Sequence, residues 1–317
     1  YPTDTYIMHG ENRPLRWDWQ YVDNFRKIYL EGGLTYEHDF RKHNVSALIL
    51  FNRLSHGYNV DLPYASQGMV GRFVYGYDTR YLAEVNFGYN GSENFMRGRR
   101  FGFFPSFSVG WRISNEAFMK GTEDWLNNLK IRASYGEVGN DWVNDRWLYA
   151  TQWAYGGNII NGLYTDNSPY TWYKEYKIGN PSIHWEVATK QNFGIDYSFL
   201  GGLVAGSLEF FSENRHDILV DGGDRSIPTY FGAKAPTANL GKTKSHGYEF
   251  ELRLSKTISG VHMWGNFNMT HAVNKIVFKD DPVLKPAYQK QAGYAIGQDH
   301  ANLTTGFANT WDQVYGM

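Results

Sequence analysis

Apolar and polar residues alternate with a period of two along most of the chain. Between residues 80 and 90, Tyr81, Ala83, Val85, Phe87 and Tyr89 fall on one face of an extended backbone, with Leu82, Glu84, Asn86 and Gly88 on the other. The same alternation sets Phe193, Ile195, Tyr197 and Phe199 against Asn192, Gly194, Asp196 and Ser198. It also sets Tyr248, Phe250, Leu252 and Leu254 against Glu249, Glu251, Arg253 and Ser255. The pattern predicts strands near 28–41, 44–54, 69–77, 80–90, 104–114, 129–138, 147–155, 184–200, 203–220, 238–256 and 261–278. Helical periodicity is weak throughout, apart from a turn or two around 116–127.

The connections fall into two kinds. Arg41-Lys42-His43, Tyr77-Asp78-Thr79, Gly201-Gly202 and Thr257-Ile258-Ser259-Gly260 are tight and polar, whereas 91–103, 156–183 and 221–237 are long. Short turns alternating with long loops is the asymmetry of an outer-membrane barrel. A soluble β-sandwich also shows one apolar and one polar face, and a β-helix is a further alternative. The length of 203–220 and 238–256, and the Tyr, Trp and Phe near strand ends, favour the membrane.

Composition sharpens this picture. Aromatic residues make up 17% of the 317, yet mean hydropathy is −0.52 and the longest unbroken apolar run is 47–51. A transmembrane helix needs roughly 20 apolar residues in succession, so a membrane role falls to strands. Thirty-one basic against 32 acidic residues leave a net charge of −1, which offers no field to gather nucleic acid. Absence of cysteine removes disulfides, thiolate metal sites and Cys nucleophiles, and suits either a reducing compartment or a bacterial envelope protein. Tyr1-Pro2-Thr3-Asp4 shows neither an initiator Met nor a signal peptide, so the expectation is a mature or internal segment.

Catalytic signatures are missing. The ten histidines are scattered, there is no H-E-x-x-H or G-x-S-x-G, and Gly241-Lys242-Thr243 lacks the upstream glycine of a phosphate loop because Pro236 stands there. Cofactor and catalytic residues are therefore both expected to be none. Asp221-Gly222-Gly223-Asp224 offers carboxylates to a structural Ca²⁺ but lacks EF-hand spacing, so an exposed turn is the simpler reading. Arg97, Arg99 and Arg100 form a basic cluster that suits a pore lining, lipopolysaccharide or a solvated loop. Residues 142–176 stand out, with Trp142, Trp147, Trp153, Trp172, Tyr164, Tyr170 and Tyr173 among Asp141, Asp145, Asp166, Asn158 and Asn161. A sugar ring stacks an apolar face on an indole and offers hydroxyls to Asp and Asn. That makes Trp142, Asp145, Trp147, Trp153 and Trp172 the candidate substrate-binding residues; aromatics closing over the loop's own core, or meeting a partner, fit as well.

One block carries a family likeness. Gly102 to Ser114 reads G-F-F-P-S-F-S-V-G-W-R-I-S, then Asn115-Glu116-Ala117-Phe118-Met119, Leu129-Lys130-Ile131-Arg132-Ala133-Ser134-Tyr135-Gly136 and Gly139-Asn140 follow. Downstream come Trp185-Glu186, Asn192-Phe193-Gly194-Ile195-Asp196, Asp217-Ile218-Leu219, Asn239-Leu240-Gly241-Lys242 and Gly247-Tyr248-Glu249-Phe250-Glu251-Leu252, with Arg80-Tyr81-Leu82 and Phe87-Gly88-Tyr89-Asn90-Gly91-Ser92 upstream. In this order the set resembles the β-barrel of SusC/RagA-family TonB-dependent outer-membrane transporters. The resemblance implies an all-β, transmembrane antiparallel β-barrel, plugged by an N-terminal domain and capped by a SusD-like surface lipoprotein. It also implies energy from the TonB–ExbB–ExbD system and a wall bathed in outer-membrane lipid.

No plug, TonB-contacting segment or aromatic-ended final strand is visible, since the sequence stops at Tyr315-Gly316-Met317. Residues 1–317 are thus expected to be a central piece of the barrel region, about half of a 22-stranded plugged barrel. The implied function is import of glycan oligomers across the bacterial outer membrane, with oligopeptide import as the alternative. A structural or adhesive surface β protein, or an outer-membrane enzyme, is more remote.

Overall fold

The computed structural model describes residues 24–59, 61–158, 170–227, 230, 232, 235–301, 306 and 310–312. Tyr1 to Asp4, Asn161, Tyr164, Asp166 and Tyr315 to Met317 lie outside the described residues. Among the described residues twelve strands run in chain order: β1 (Phe25–Phe40), β2 (His43–Tyr58), β3 (Tyr64–Tyr77), β4 (Tyr81–Ser92), β5 (Phe101–Arg112), β6 (Leu126–Asn140), β7 (Gln152–Asn158), β8 (Thr171–Lys177), β9 (Glu186–Phe199), β10 (Val204–Val220), β11 (Ala238–Ile258) and β12 (Val261–Phe278).

Ten of them form one antiparallel sheet in the order β1-β2-β3-β4-β5-β6-β9-β10-β11-β12, and β7 pairs only with β8. The wall therefore has ten strands rather than the eleven expected. The segment predicted as a wall strand at 147–155 starts later, at Gln152, and belongs to a separate hairpin with β8, which had been read as loop. Alternation reports a strand without saying which sheet it joins, and this explains the miscount. The turn around 116–127 is present as two short 3₁₀ segments, Ile113–Asn115 and Ala117–Thr122. Among the described residues no helix is long and apolar enough to cross a membrane.

Every wall strand pairs with its sequence neighbour, except that β6 passes over the hairpin to β9. The register carries the two faces across the whole sheet. Tyr81 lies beside Trp111, Trp111 beside Ile131, and the row continues through Ile195, Leu208 and Phe250 to Met269. Along it most apolar side chains are exposed or half-buried, which suits a surface meeting hydrocarbon. Glu84, Ser108, Ser134 and Asn192 make the corresponding row of the opposite face, where Glu209 stands beside Glu249 and Ser207 beside Glu251.

That second face carries its charges in pairs. Arg72 Nε donates to Glu84 Oε1 at 2.9 Å, and Asn86 Nδ2 donates to the same oxygen at 2.9 Å. Arg132 Nε reaches Asp196 at 3.3 Å, and its other arm pairs with Glu209, two strands away. The reach depends on Gly194 between them, because a Cβ there would sit 2.8 Å from the guanidinium carbon. Nearer the long loops Arg215 bridges Glu186 at 3.1 Å and Glu213 at 3.0 Å. A wet lumen tolerates such pairs, whereas lipid would not.

The sheet's two ends differ as the turn chemistry foretold. β1–β2, β3–β4, β9–β10 and β11–β12 are joined by tight turns at one end, and Asp78 and Thr79 both hold left-handed backbone, φ 50° and 56°. Two positive-φ residues in succession match the right-handed twist of the flanking strands. Neighbouring turns are tied together there. Arg80 pairs with Asp78 and donates to Glu116 at 3.2 Å, Lys42 reaches Asp78 at 3.3 Å, and Asn115 Nδ2 donates to Thr79 Oγ1 at 3.0 Å.

Glu116 is buried, and hydrogen bonds from the Tyr81 hydroxyl, Trp111 Nε1 and Arg80 hold its carboxyl below the usual carboxylate range. A depressed folded value contributes stability that is present above the unfolded value, about 4.3, and fades as pH falls through the folded one. The melting temperature of the complete protein should exceed that of Glu116→Gln near neutral pH, with the gap narrowing once pH drops below about 4. A gap that does not change with pH would show that the carboxylate charge is not what holds this end.

Candidate functional site

At the opposite end the long connections rest on a small apolar core. Phe95, Phe104, Leu148, Ile183 and Trp185 are buried together, with Val143, Val187 and Leu219 against them. These residues come from the β4–β5 connection, β5, and both arms of the β6–β9 connection. Trp185 Nε1 donates to the Arg100 carbonyl at 2.9 Å, and Arg100 Nε donates to the Phe95 carbonyl at 3.1 Å. Arg100 is thereby a structural member of the basic cluster, although like Arg97 and Arg99 it is exposed. The loops are thus set on the wall by burial rather than left hanging from it.

Above this core Arg146 ties three connections into one node. Its guanidinium donates to the carbonyls of Leu62 at 2.6 Å and Pro63 at 3.3 Å, and pairs with Glu93 at 2.7 Å. The same group lies 3.9 Å from the Tyr64 ring centre and 4.7 Å from that of Trp147. A planar guanidinium can stack and donate in its own plane at once, which a lysine ammonium cannot. Trp147 meanwhile holds a left-handed backbone at φ 54°, a conformation a bulky residue keeps only where its surroundings enforce it. Asn94 Nδ2 adds a bond to the Asp141 carbonyl at 2.9 Å.

The node forms one wall of a recess of about 630 Å³, within the roughly 300–1,000 Å³ typical of ligand sites. Trp142, Asp145 and Trp147 line it together with Tyr64, Asn144 and Gln152. Trp142 is 72% exposed and Trp147 37%, so indole surface is open to solvent. Asp145 pairs with Lys177 at 2.5 Å, and Asn144 Nδ2 donates to Asp221 Oδ2 at 2.9 Å.

The structure therefore brings together three of the five candidate residues. Trp153 and Trp172 do not line this recess; they sit on the β7–β8 hairpin, where Trp153 faces Glu175 and Gly157 faces Trp172 across the pair. Trp172 lies flat over Gly156, where a Cβ would come within 2.5 Å of the indole. Tyr155 and Tyr173 meet edge to face at 6.2 Å, and both rings are mostly exposed.

Asp221, one of the residues considered for Ca²⁺, accepts bonds from Gly222 N and Thr237 Oγ1, each at 3.0 Å, as well as from Asn144. Burial pushes its carboxyl up, and these bonds outweigh that and hold it below the usual range. Among the described residues no three His, Cys, Asp or Glu gather into a metal-ligating group. Arg146, Tyr64, Glu93 and Trp185 were not singled out as site residues from the sequence. Arg146 sits between Asp145 and Trp147, and that adjacency of a cation to an indole was the available signal. Its partners lie on other connections, so their convergence was not readable.

An open antiparallel sheet with one apolar face, one ion-paired polar face, tight turns at one end and gathered loops at the other is the wall of an outer-membrane β-barrel. A family model described as TonB dependent receptor-like, beta-barrel matches residues 71–315. The TonB-dependent receptor SusC of Bacteroides thetaiotaomicron is 30% identical over 209 residues, which is 65% of this chain and 20% of that protein. A TonB-dependent receptor of Formosa agariphila is 28% identical over 240 residues, 74% of this chain and 22% of that protein. Among solved structures, the RagAB peptide importer in the closed-closed state superposes with a TM-score of 0.68 at 18% identity, covering 86% of this chain and 33% of that one. The chain belongs to the TonB-dependent receptor β-barrel family, is similar to its SusC and RagA members, and is an outer-membrane protein. It spans about a fifth of the length of the curated relatives it matches.

Proposed function

We propose that this chain is part of a transporter that imports glycan oligomers across the outer membrane, energised by TonB–ExbB–ExbD and working with a SusD-like surface lipoprotein. The observation that carries the glycan reading is the recess in which Trp142 and Trp147 stand beside Asp145, Asn144 and Gln152. Indole faces take the apolar side of a pyranose, and amides and carboxylates take its hydroxyls. The long-loop end faces outside the cell, as longer loops do in such barrels. On this reading Trp142, Asp145 and Trp147 meet cargo, while Trp153 and Trp172 present the hairpin's aromatics to cargo or to the lipoprotein. No chemical step on the cargo and no cofactor is required, since the work is displacement across a membrane.

Oligopeptide import by the same machinery is the second reading. What favours it is that a structure sharing this fold is described as a peptide importer. Uptake separates the two. Cells carrying the complete transporter should accumulate labelled oligosaccharides of one linkage type, lose that uptake when the transporter or TonB is deleted, and lose it when the proton gradient is collapsed. Uptake of labelled hexapeptides with that dependence, and of no oligosaccharide, would replace glycan by peptide.

A further inference from the structure

We propose that the recess discriminates by charge, accepting neutral sugar units and turning away glycans that carry carboxylate or sulfate groups. The inference rests on the glycan reading above and adds the chemical class of glycan. It starts from the charged groups that line the recess, which are Asp61, Asp141, Asp145 and Arg146.

The only cation among them is spoken for. Arg146 gives three of its five N–H groups to Leu62 O, Pro63 O and Glu93, the last an ion pair, and Tyr64 and Trp147 lie against its faces. Asp145 is neutralised by Lys177. Asp61 and Asp141 have no ion pair among the described residues. A uronate entering this space meets two uncompensated carboxylates and no cation that lacks an acidic partner, so its own charge is desolvated without compensation. A neutral pyranose loses nothing by the same arrangement. Its hydroxyls donate to the carboxylates while its apolar face covers an indole.

The indole platform is also built to receive a flat face from one side. Arg146 occupies a face of the Trp147 ring, and the guanidinium is itself fixed by three oxygens from two other connections. A ring held in this way loses little freedom when a ligand stacks on the remaining face. Like-charge exclusion between groups exposed to water weakens with salt, which gives the discrimination a signature that shape alone would lack.

The test uses the complete transporter with its partner lipoprotein in detergent, titrated by calorimetry. The probes are malto-, cello-, xylo- and mannohexaose, hexagalacturonate, and an equimolar mixture of neutral hexapeptides. At least one neutral hexasaccharide should bind, and hexagalacturonate should bind at least about tenfold more weakly at low salt, with the gap closing as salt rises. In an Asp61→Lys/Asp141→Lys variant, the affinity ratio between hexagalacturonate and the neutral ligand should shift by about tenfold or more in favour of hexagalacturonate. Trp142→Ala/Trp147→Ala should weaken the neutral ligand by about tenfold or more through loss of the stacking faces, with partner co-purification unchanged.

Hexagalacturonate binding as tightly as the neutral sugars, or a gap indifferent both to salt and to the double Lys substitution, overturns the charge proposal and leaves glycan import standing. Wild-type affinity in the double Trp variant removes the recess as the site. Binding of the hexapeptides alone, or of none of the probes, counts against the glycan reading and this inference together.

Discussion

Replacing Val85 with Arg is expected to cost about 2–4 kcal/mol of stability in the membrane, and Asn86→Arg, one residue along the same strand, much less. The two positions share depth and backbone pairing and differ only in face. Val85 belongs to the row that runs through Phe73, Phe107 and Tyr135, and 41% of its surface is open on the side that meets hydrocarbon. A guanidinium there must snorkel or stay desolvated. Asn86 points to the opposite face, where it already donates to Glu84 at 2.9 Å and has Arg72 as cross-strand neighbour. An added cation meets water and a carboxylate on that side. Denaturant refolding of the complete barrel into lipid vesicles measures both variants against wild type. Equal costs, or a larger cost at Asn86, would mean that the faces have been assigned the wrong way round.

The face assignment is also what could be read most fully from the sequence. Period-two alternation in residues 80–90, 192–199 and 248–255 is a one-dimensional record of a sheet between two solvents, and the register joins those records into continuous rows. The turns were equally legible, because Asp78-Thr79 and Ser259-Gly260 are local chemistry. The wall count was not. Residues 152–158 alternate as well as any wall strand, yet their partner is β8, and both stand in a loop. Several strands also begin earlier than the alternation suggested, as β3 does at Tyr64, because pairing continues where the hydrophobic pattern has stopped.

The site divides along the same line. Trp142, Asp145 and Trp147 are close in sequence, and composition alone marked them. Trp153 and Trp172 were grouped with them only because they share the stretch, and the hairpin sets them apart from the recess. Arg146 was invisible as an organiser because its meaning lies in Leu62, Pro63, Tyr64 and Glu93, which reach it from more than fifty residues upstream. Convergence of loops is set by where strand ends lie in the sheet, and only the fold supplies that.

These 317 residues produced alone are expected to aggregate rather than give a stable, dispersed unit in detergent. β1 and β12 stand at the two ends of the sheet, and neither pairs with the other. Every residue of β1 is exposed, and so is β12 apart from Ile276, whose backbone bonds to Gly293 and Tyr294 cover that edge at one point. Among the described residues the rest of both edges leaves amides and carbonyls without backbone partners. In water such edges recruit other strands. In the hydrocarbon layer each unsatisfied group costs several kcal/mol, and closure into a barrel is the arrangement that removes the cost. The ion-paired face adds to the problem, since charges such as Arg132, Asp196 and Glu209 need an aqueous lumen that an open sheet does not enclose. Size-exclusion chromatography and limited proteolysis of the isolated chain, beside the full-length protein, give the answer. A monodisperse, protease-resistant monomer would require the two edges to find each other, and with that a ten-stranded closed barrel in place of one arc of a larger wall.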